Sequence, residues 1–439
     1  MKKIFFAIGL LLLNICHTMA QETVYPAAEE KTPFFIINGT IHIGNGQVIL
    51  NGVIEINNGK IVSVKEKGVT VPPGAKVIDA TGKQVYPGLI LSVTDLGLKE
   101  IGSGVRGSND YLEIGEFNPS VRSIVAYNTD SKIINTLKAS GILLAGVTPQ
   151  GGTIAGSSSV VQLDAWNWED AAYKLDNAIH LDMPSLISRP TRRGGGGFPG
   201  LGVAPTADPL KLALERVENI KDFFRQSKSY LAEPVHKESN LKYQAVKSLF
   251  DKKQKLFVHC TQVKQMLVAI DFVTEFGFDV VIVGGTESWQ IAGLLKQNNI
   301  AVILQDEHSL PVMEDDDVDQ PYKTPAMLQK AGVLFALNDE NGETRYRNLA
   351  YNAGTAAAYG LGKEAALQAI TLSAAKILGI DDKTGSIEAG KDANIVISEG
   401  DLLDMKSSLV SQAFIQGRAV DLNNKQKQLY ERYKYKYKL

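Results

Sequence analysis

The sequence predicts a mixed α/β chain in which a long run of β/α units is flanked, at both ends, by short strands of one small β domain. Three observations carry this. Apolar strand-like runs alternate with helix-like stretches through the middle of the chain, short runs punctuated by Asn-Gly pairs lie near the N-terminus, and the same strand-like texture returns near the C-terminus.

Met1, Lys2 and Lys3, the apolar stretch from Ile4 to Ile15, and Thr18-Met19-Ala20 before Gln21 match the charged, apolar and small-residue regions of a secretory signal. Residues 1–20 are therefore set aside from the fold. The apolar stretch is about 12 residues, short of the roughly 20 that span a bilayer. No later segment is long and uncharged enough to do so, and no integral membrane segment is expected. Ile15 is bulky where a lipid-attachment site at Cys16 wants a small residue before it, which favours a periplasmic destination over a lipoprotein. Cleavage leaves Cys260 alone, so no intramolecular disulfide forms and stability rests on packing. Charge is nearly balanced, 46 basic against 48 acidic side chains, and losing Lys2 and Lys3 takes the formal net from −2 to −4. Nothing in that balance points to nucleic acid.

Phe34 to Thr40, Gly52 to Ile56 and Gly59 to Val64 read as short hairpin strands, with Asn-Gly pairs between them. They assign residues 21–88 to the first part of the β domain. Asp392 to Ile397 and Val410 to Arg418 supply its second part, within residues 385–424. Between them, over residues 89–384, the runs Leu256 to His259, Val280 to Val283, Ala301 to Leu304 and Val333 to Leu337 follow one another with helix-like stretches between. That order argues a parallel β/α architecture, as a closed barrel or an open sheet. From Val263 to Phe276, the apolar residues Val263, Met266, Leu267, Ile270 and Val273 keep the 3,4 spacing of a one-sided helix. The glycines Gly194 to Gly197 lose too much backbone entropy on ordering to hold regular structure, and predict a loop or lid. Asp315, Asp316, Asp317 and Asp319 lack the glycine and spaced ligands of a helix–loop–helix calcium site and predict a solvated loop. Residues 425–439 form a basic Tyr/Lys tail, expected to be an exposed tail packed by a few tyrosines rather than a membrane anchor.

Gly82-Lys83-Gln84-Val85-Tyr86-Pro87-Gly88-Leu89-Ile90 resembles the approach to the first barrel strand in the amidohydrolase superfamily, especially its imidazolonepropionase-like members. About 280 residues later, Ala369 to Gly379 followed by Gly385 to Val396 resembles that family's last helix and its return to the β domain. The stretch Gly151 to Asp164 is similar to a Gly/Ser-rich segment of the same branch, and brings in Ser157 as a candidate substrate contact. The resemblance implies a (β/α)8 barrel of TIM type with a small β-sandwich domain built from both chain ends.

It also implies one or two divalent metals at the C-terminal mouth of the barrel, held by His-x-His on strand 1, a His on strand 5, a His on strand 6 and an Asp on strand 8. The metal would polarise the scissile carbonyl and the Asp would move the proton. Here the strand 1 pair falls on Val93 and Asp95, and the strand 6 histidine on Gly284. His259 on strand 5 and Asp339 on strand 8 are retained. The candidate set is therefore His259 and Asp95 for metal, Asp339 as the water-activating base, and His308, Gly284 and Ser157 toward substrate. At most one divalent ion such as zinc is expected, and none is an open alternative. His42 reads as structural, His180 and His236 as histidines of inserted or helix-rich segments. Cys260 lies on the opposite strand face from His259, so the two do not form a nucleophilic pair.

Two functions follow. One is a hydrolase of non-peptide carbon–nitrogen bonds with a reduced site. The other is a catalytically inactive member that binds a small-molecule ligand, or pairs with an active paralogue or a second copy of itself.

Overall fold

The computed structural model describes residues 25–66, 71–100, 110–186, 208–305, 307–311, 315–339 and 345–439. The leader and the glycine-rich stretch around Gly194 lie outside them. The first strands are β1 (Phe34–His42), β2 (Val48–Asn57), β3 (Lys60–Lys65), β4 (Lys76–Asp79) and β5 (Gln84–Pro87). Asn58 and Gly59 turn β2 into β3 with φ of 48° and 74°, the double positive φ that a two-residue hairpin turn demands and Asn-Gly supplies most readily.

A second series follows: β6 (Leu89–Thr94), β7 (Ile142–Val147), β8 (Ile154–Gln162), β9 (Ala172–Asp182), β10 (Lys255–Cys260), β11 (Val280–Gly284), β12 (Ala301–Leu304) and β13 (Phe335–Leu337). The chain then closes with β14 (Ile395–Ser398), β15 (Val410–Ile415) and β16 (Arg418–Ala419).

β14, β15 and β16 join the N-terminal strands in the order β16-β15-β14-β5-β1-β2-β3, with β4 on β1, so one small β domain does draw on both chain ends. It is a single continuous sheet rather than the two packed sheets of a sandwich. The sheet curls on itself: β1 and β15 are three strands apart, about 14 Å if flat, yet the Phe34 and Phe414 rings are 5.5 Å apart. Ile36, Ile41, Ile54, Ile56, Ile395 and Ile397 fill the enclosed core.

The second series makes an eight-stranded sheet in strict chain order, β6 to β13. All neighbours are parallel except around β8, which is antiparallel to both β7 and β9. Only residues 148–153 join β7 to β8, too few for the dozen or more that a parallel crossover takes. The run of parallel units expected from the sequence is interrupted there. The helix Val263–Phe276 lies between β10 and β11 as its spacing predicts, and ends at Gly277 with φ 74°. It buries Met266, Ala269 and Phe272 and leaves Leu267 exposed. The stripe is rotated because Gln265 turns inward to donate to the carbonyls of Met183 and Pro184.

No backbone ladder joins β13 to β6. The carboxamide of fully buried Asn338 fills the gap: its Oδ1 accepts from Ser92 N (2.9 Å) and Val93 N (3.2 Å), and its Nδ2 donates to Val93 O (2.8 Å). One side chain thus takes the place of a ladder rung, and the sheet is nearly closed.

The chain passes from the first sheet to the second at Gly88, between Pro87 of β5 and Leu89 of β6. A Cβ there would come within 2.7 Å of Leu143 Cδ1, which explains why the Pro-Gly step carries glycine. Across the same junction His42 meets Glu364 through Nδ1 (2.7 Å) and Gln84 Oε1 through Nε2 (3.0 Å). Both ring nitrogens face oxygen, an arrangement that suits the doubly protonated ring. Burial opposes the charge, but the bonds to Glu364 and Gln84 outweigh it and lift the imidazole above its ordinary value of 6.5.

Asn338→Leu should lower unfolding free energy by about 2–4 kcal/mol, because it strands three buried backbone groups; urea unfolding that shows no change would refute the bridging role. For His42, the folded pKa exceeds the unfolded one, so its contribution is complete below about pH 6.5 and fades as pH rises through the folded value. The stability gap between wild type and His42→Gln should shrink between about pH 6 and pH 8, by less than about 1 kcal/mol given partial exposure. A gap that widened over that range would contradict the assignment.

Candidate active site at the barrel mouth

Strand ends place the candidate residues. Asp95 follows β6, His259 lies in β10, Gly284 ends β11, and Asp339 follows β13 by two residues. Two sets of contacts bring Asp95 and Asp339 into one region. Asn338, next to Asp339, binds β6 two residues before Asp95, and the consecutive residues Arg345 and Tyr346 reach Asp339 and Asp95 respectively.

Asp95 is 6% exposed. The Tyr346 hydroxyl donates a hydrogen bond to its Oδ1, and Lys99 Nζ lies 4.0 Å from its Oδ2. Burial, then the Asp95 charge, pushes the Tyr346 phenol well above its ordinary range and keeps it protonated as a donor. Asp339 is fully buried. Asn352 Nδ2 donates to its Oδ2 at 3.0 Å, and the Arg345 Nε is 3.8 Å from its Oδ1. Burying a carboxylate is costly unless hydrogen bonds and opposite charge compensate it, and here the chain's own groups supply both.

His259 does not join this pair. Its Nε2 is 2.8 Å from Nδ1 of His180. The sequence reading put His180 in an inserted or helix-rich segment; it lies instead in β9, 1% exposed, beside β10. Burial, with the neighbouring His259, holds its imidazole well below the usual value, so it is neutral. Among the described residues, buried His180 Nε2 has no hydrogen-bond partner. A bare lone pair is cheaper there than an orphaned N–H, which puts the proton on Nδ1 and makes His259 Nε2 the acceptor. The lone pair that a metal would take at that nitrogen is thereby used.

Gly284 has φ 102°, and a Cβ on it would meet the Cys260 carbonyl oxygen at 2.9 Å. The backbone that ends β11 therefore has no room for the histidine expected in metal-bearing relatives. Val93 is buried and offers no donor atom. His308 is on the surface, its Nε2 2.8 Å from Thr355 Oγ1 and its ring edge-on to Tyr322. Ser157 is buried in β8, where its Oγ accepts from Gln254 Nε2 at 3.1 Å. Cys260 pairs in register with Gly284 while His259 pairs with Val283, consistent with opposite faces, and burial raises its thiol far above the usual range.

Among the described residues, no group of three or more His, Cys, Asp or Glu side chains could hold a metal ion. The described residues therefore assemble no three-ligand site, and of the expected pair His259 bonds to His180 and Asp95 to Tyr346. His180 and the partners Lys99, Arg345, Tyr346 and Asn352 were missed by sequence reasoning. For His180 a signal existed, the apolar alternation Ala178-Ile179-His180-Leu181 of a strand. The others come from loops and a helix with no local motif.

A family model described as "Amidohydrolase family" matches residues 323–423. The imidazolonepropionase of Mesorhizobium japonicum is 26% identical over 351 residues, covering 74% of this chain and 80% of its own. Amidohydrolase tasK of Hapsidospora irregularis is 22% identical over 384 residues, and the aligned part spans 37% of its length. Among solved structures, an amidohydrolase from Thermotoga maritima superposes with a TM-score of 0.74 at 25% identity, covering 88% of this chain and 99% of that one. Fold, motif order and relatives agree in supporting the amidohydrolase superfamily: the chain matches its family model over residues 323–423 and over most of its length is similar to an imidazolonepropionase and to an amidohydrolase structure.

Proposed function

We propose that this chain is an exported (β/α)8-barrel protein, with domain limits near residues 88 and 385, that keeps the hydrolase fold without a resident metal. It works by binding, either of a small-molecule ligand or of an active paralogue. One observation carries the reading: each retained candidate ligand is already bound by another side chain of the protein, Asp95 by Tyr346, Asp339 by Asn352, and His259 by His180. Lys99 and Arg345 lie beside the two carboxylates and balance charge that a divalent ion would balance in a metal-bearing relative. Catalytic zinc sites generally use three protein ligands and an open position; here Val93 and Gly284 offer no side-chain ligand, and a metal would compete with an internal bond at His259 and with a nearby cation at Asp95 and Asp339.

The chain expressed without residues 1–20, purified without a histidine tag and incubated with excess zinc, should retain far less than one ion per chain by elemental mass spectrometry. About one ion per chain, lost in His259→Ala, would instead establish the reduced hydrolase of carbon–nitrogen bonds. Restoring the missing ligand should also fail. Gly284→His is expected to destabilise the fold by about 2–4 kcal/mol, from the positive φ and the backbone clash, without raising zinc affinity. A stable variant that gained zinc would overturn this account of the site.

A further inference from the structure

The last helix, Lys425–Tyr437, starts at Asn424, whose Oδ1 accepts from Lys427 N at 2.8 Å. It has 13 residues and buries none of them. An isolated helix of that length is marginal in water, so its stability calls for a surface to lie on. At about 100° per residue, Leu429, Tyr433, Tyr437 and Tyr430 fall within one arc of about 100°, the width of an apolar stripe. The Tyr433 and Tyr437 rings stack at 6.4 Å along it, and Tyr430, Tyr433 and Tyr437 are 65%, 53% and 62% exposed.

Lysines border the stripe on both sides, Lys425 and Lys436 along one edge and Lys427 and Lys434 along the other. Lys434 Nζ lies 5.6 Å from the Tyr430 ring and Lys436 Nζ 5.3 Å from that of Tyr437. With Arg432 and Lys438 the segment holds six cations against one acid, Glu431, while the whole chain is net −2. The rest of the molecule is therefore acidic, and the positive charge is concentrated on this helix.

We propose that this helix docks on anionic phospholipid headgroups, lying in the plane of the surface with its tyrosine stripe at the boundary of headgroups and acyl chains. Amphipathic tyrosine rings suit that boundary, and the flanking lysines match the negative headgroups. A helix of 13 residues is about 20 Å long, too short to span, and among the described residues no helix is long and apolar enough to cross a membrane. A second copy is a poor occupant, because facing two such helices brings like charges together. Nucleic acid would use the lysines and leave the tyrosine stripe in water.

Vesicle co-sedimentation of residues 21–439, which hold every described residue, tests this. The protein should bind vesicles of phosphatidylcholine mixed with phosphatidylglycerol, release at high salt, and ignore pure phosphatidylcholine. Lys434→Gln with Lys436→Gln should weaken binding roughly twenty-fold, and Tyr433→Ser with Tyr437→Ser at least about tenfold. None of these side chains is buried, so circular dichroism and thermal unfolding of the body should be unchanged. The proposal fails if vesicles are not bound, if pure phosphatidylcholine binds equally, or if the tyrosine pair is without effect. It also fails if duplex DNA binds as tightly as the anionic vesicles, or if the variants abolish a dimer instead of vesicle binding.

Discussion

The carboxamide of Asn338 joins the first and last strands of the barrel sheet where no backbone ladder does, and the geometry of the mouth hangs on it. It pins β6 just before Asp95 and β13 just before Asp339, so both carboxylates are held at one seam. A primary amide suits the task because it both donates and accepts, matching the N–H and C=O groups that an unpaired strand edge presents. Asp or Leu at the same position would satisfy part of that edge or none of it.

Once the two acids are buried at the seam, their charge must be met. Tyr346 and Asn352 meet it with hydrogen bonds, and Lys99 and Arg345 with opposite charge nearby. In each acid one oxygen accepts a hydrogen bond and the other has a cation near it. The His180–His259 pair, on the adjacent strands β9 and β10, is likewise satisfied internally, one hydrogen bond joining two imidazoles. The positive φ at Gly284 removes the remaining position where a ligand might have been added.

Away from the mouth, buried polar links fasten separate parts of the chain. Asp164 is bound by Lys138 Nζ at 3.0 Å, by Arg418 at 3.3 Å and by the Ala27 N–H at 2.8 Å, tying the end of β8 to the N-terminal segment and to β16. With Gly88 allowing the chain to change sheets in a single step, and His42 reaching Glu364 across the junction, the β domain is fixed to the barrel sheet by side chains as well as by the covalent chain.

Periodicity and turn chemistry act over a few residues, and what depends on them was legible. The Asn58-Gly59 hairpin, the helix from Val263 to Phe276, the strands that end at His259 and Gly284, and the β domain built from both chain ends all follow from local pattern. So did the absence of three expected histidines, since a missing side chain needs no fold to be seen. The reversed direction of β8, the single curled sheet in place of a sandwich, and the partners of Asp95, Asp339 and His259 did not follow. Tyr346 is 251 positions from Asp95 and His180 79 from His259, Asn352 reaches Asp339 across 13 positions with no local motif to announce it, and β8 is reversed by a loop too short to cross over. The sequence by itself determined which metal-ligating side chains exist; only the tertiary structure decided that those remaining are bonded to Tyr346, Asn352 and His180, because hydrogen bonds and buried charges are matched by distance in space rather than along the chain.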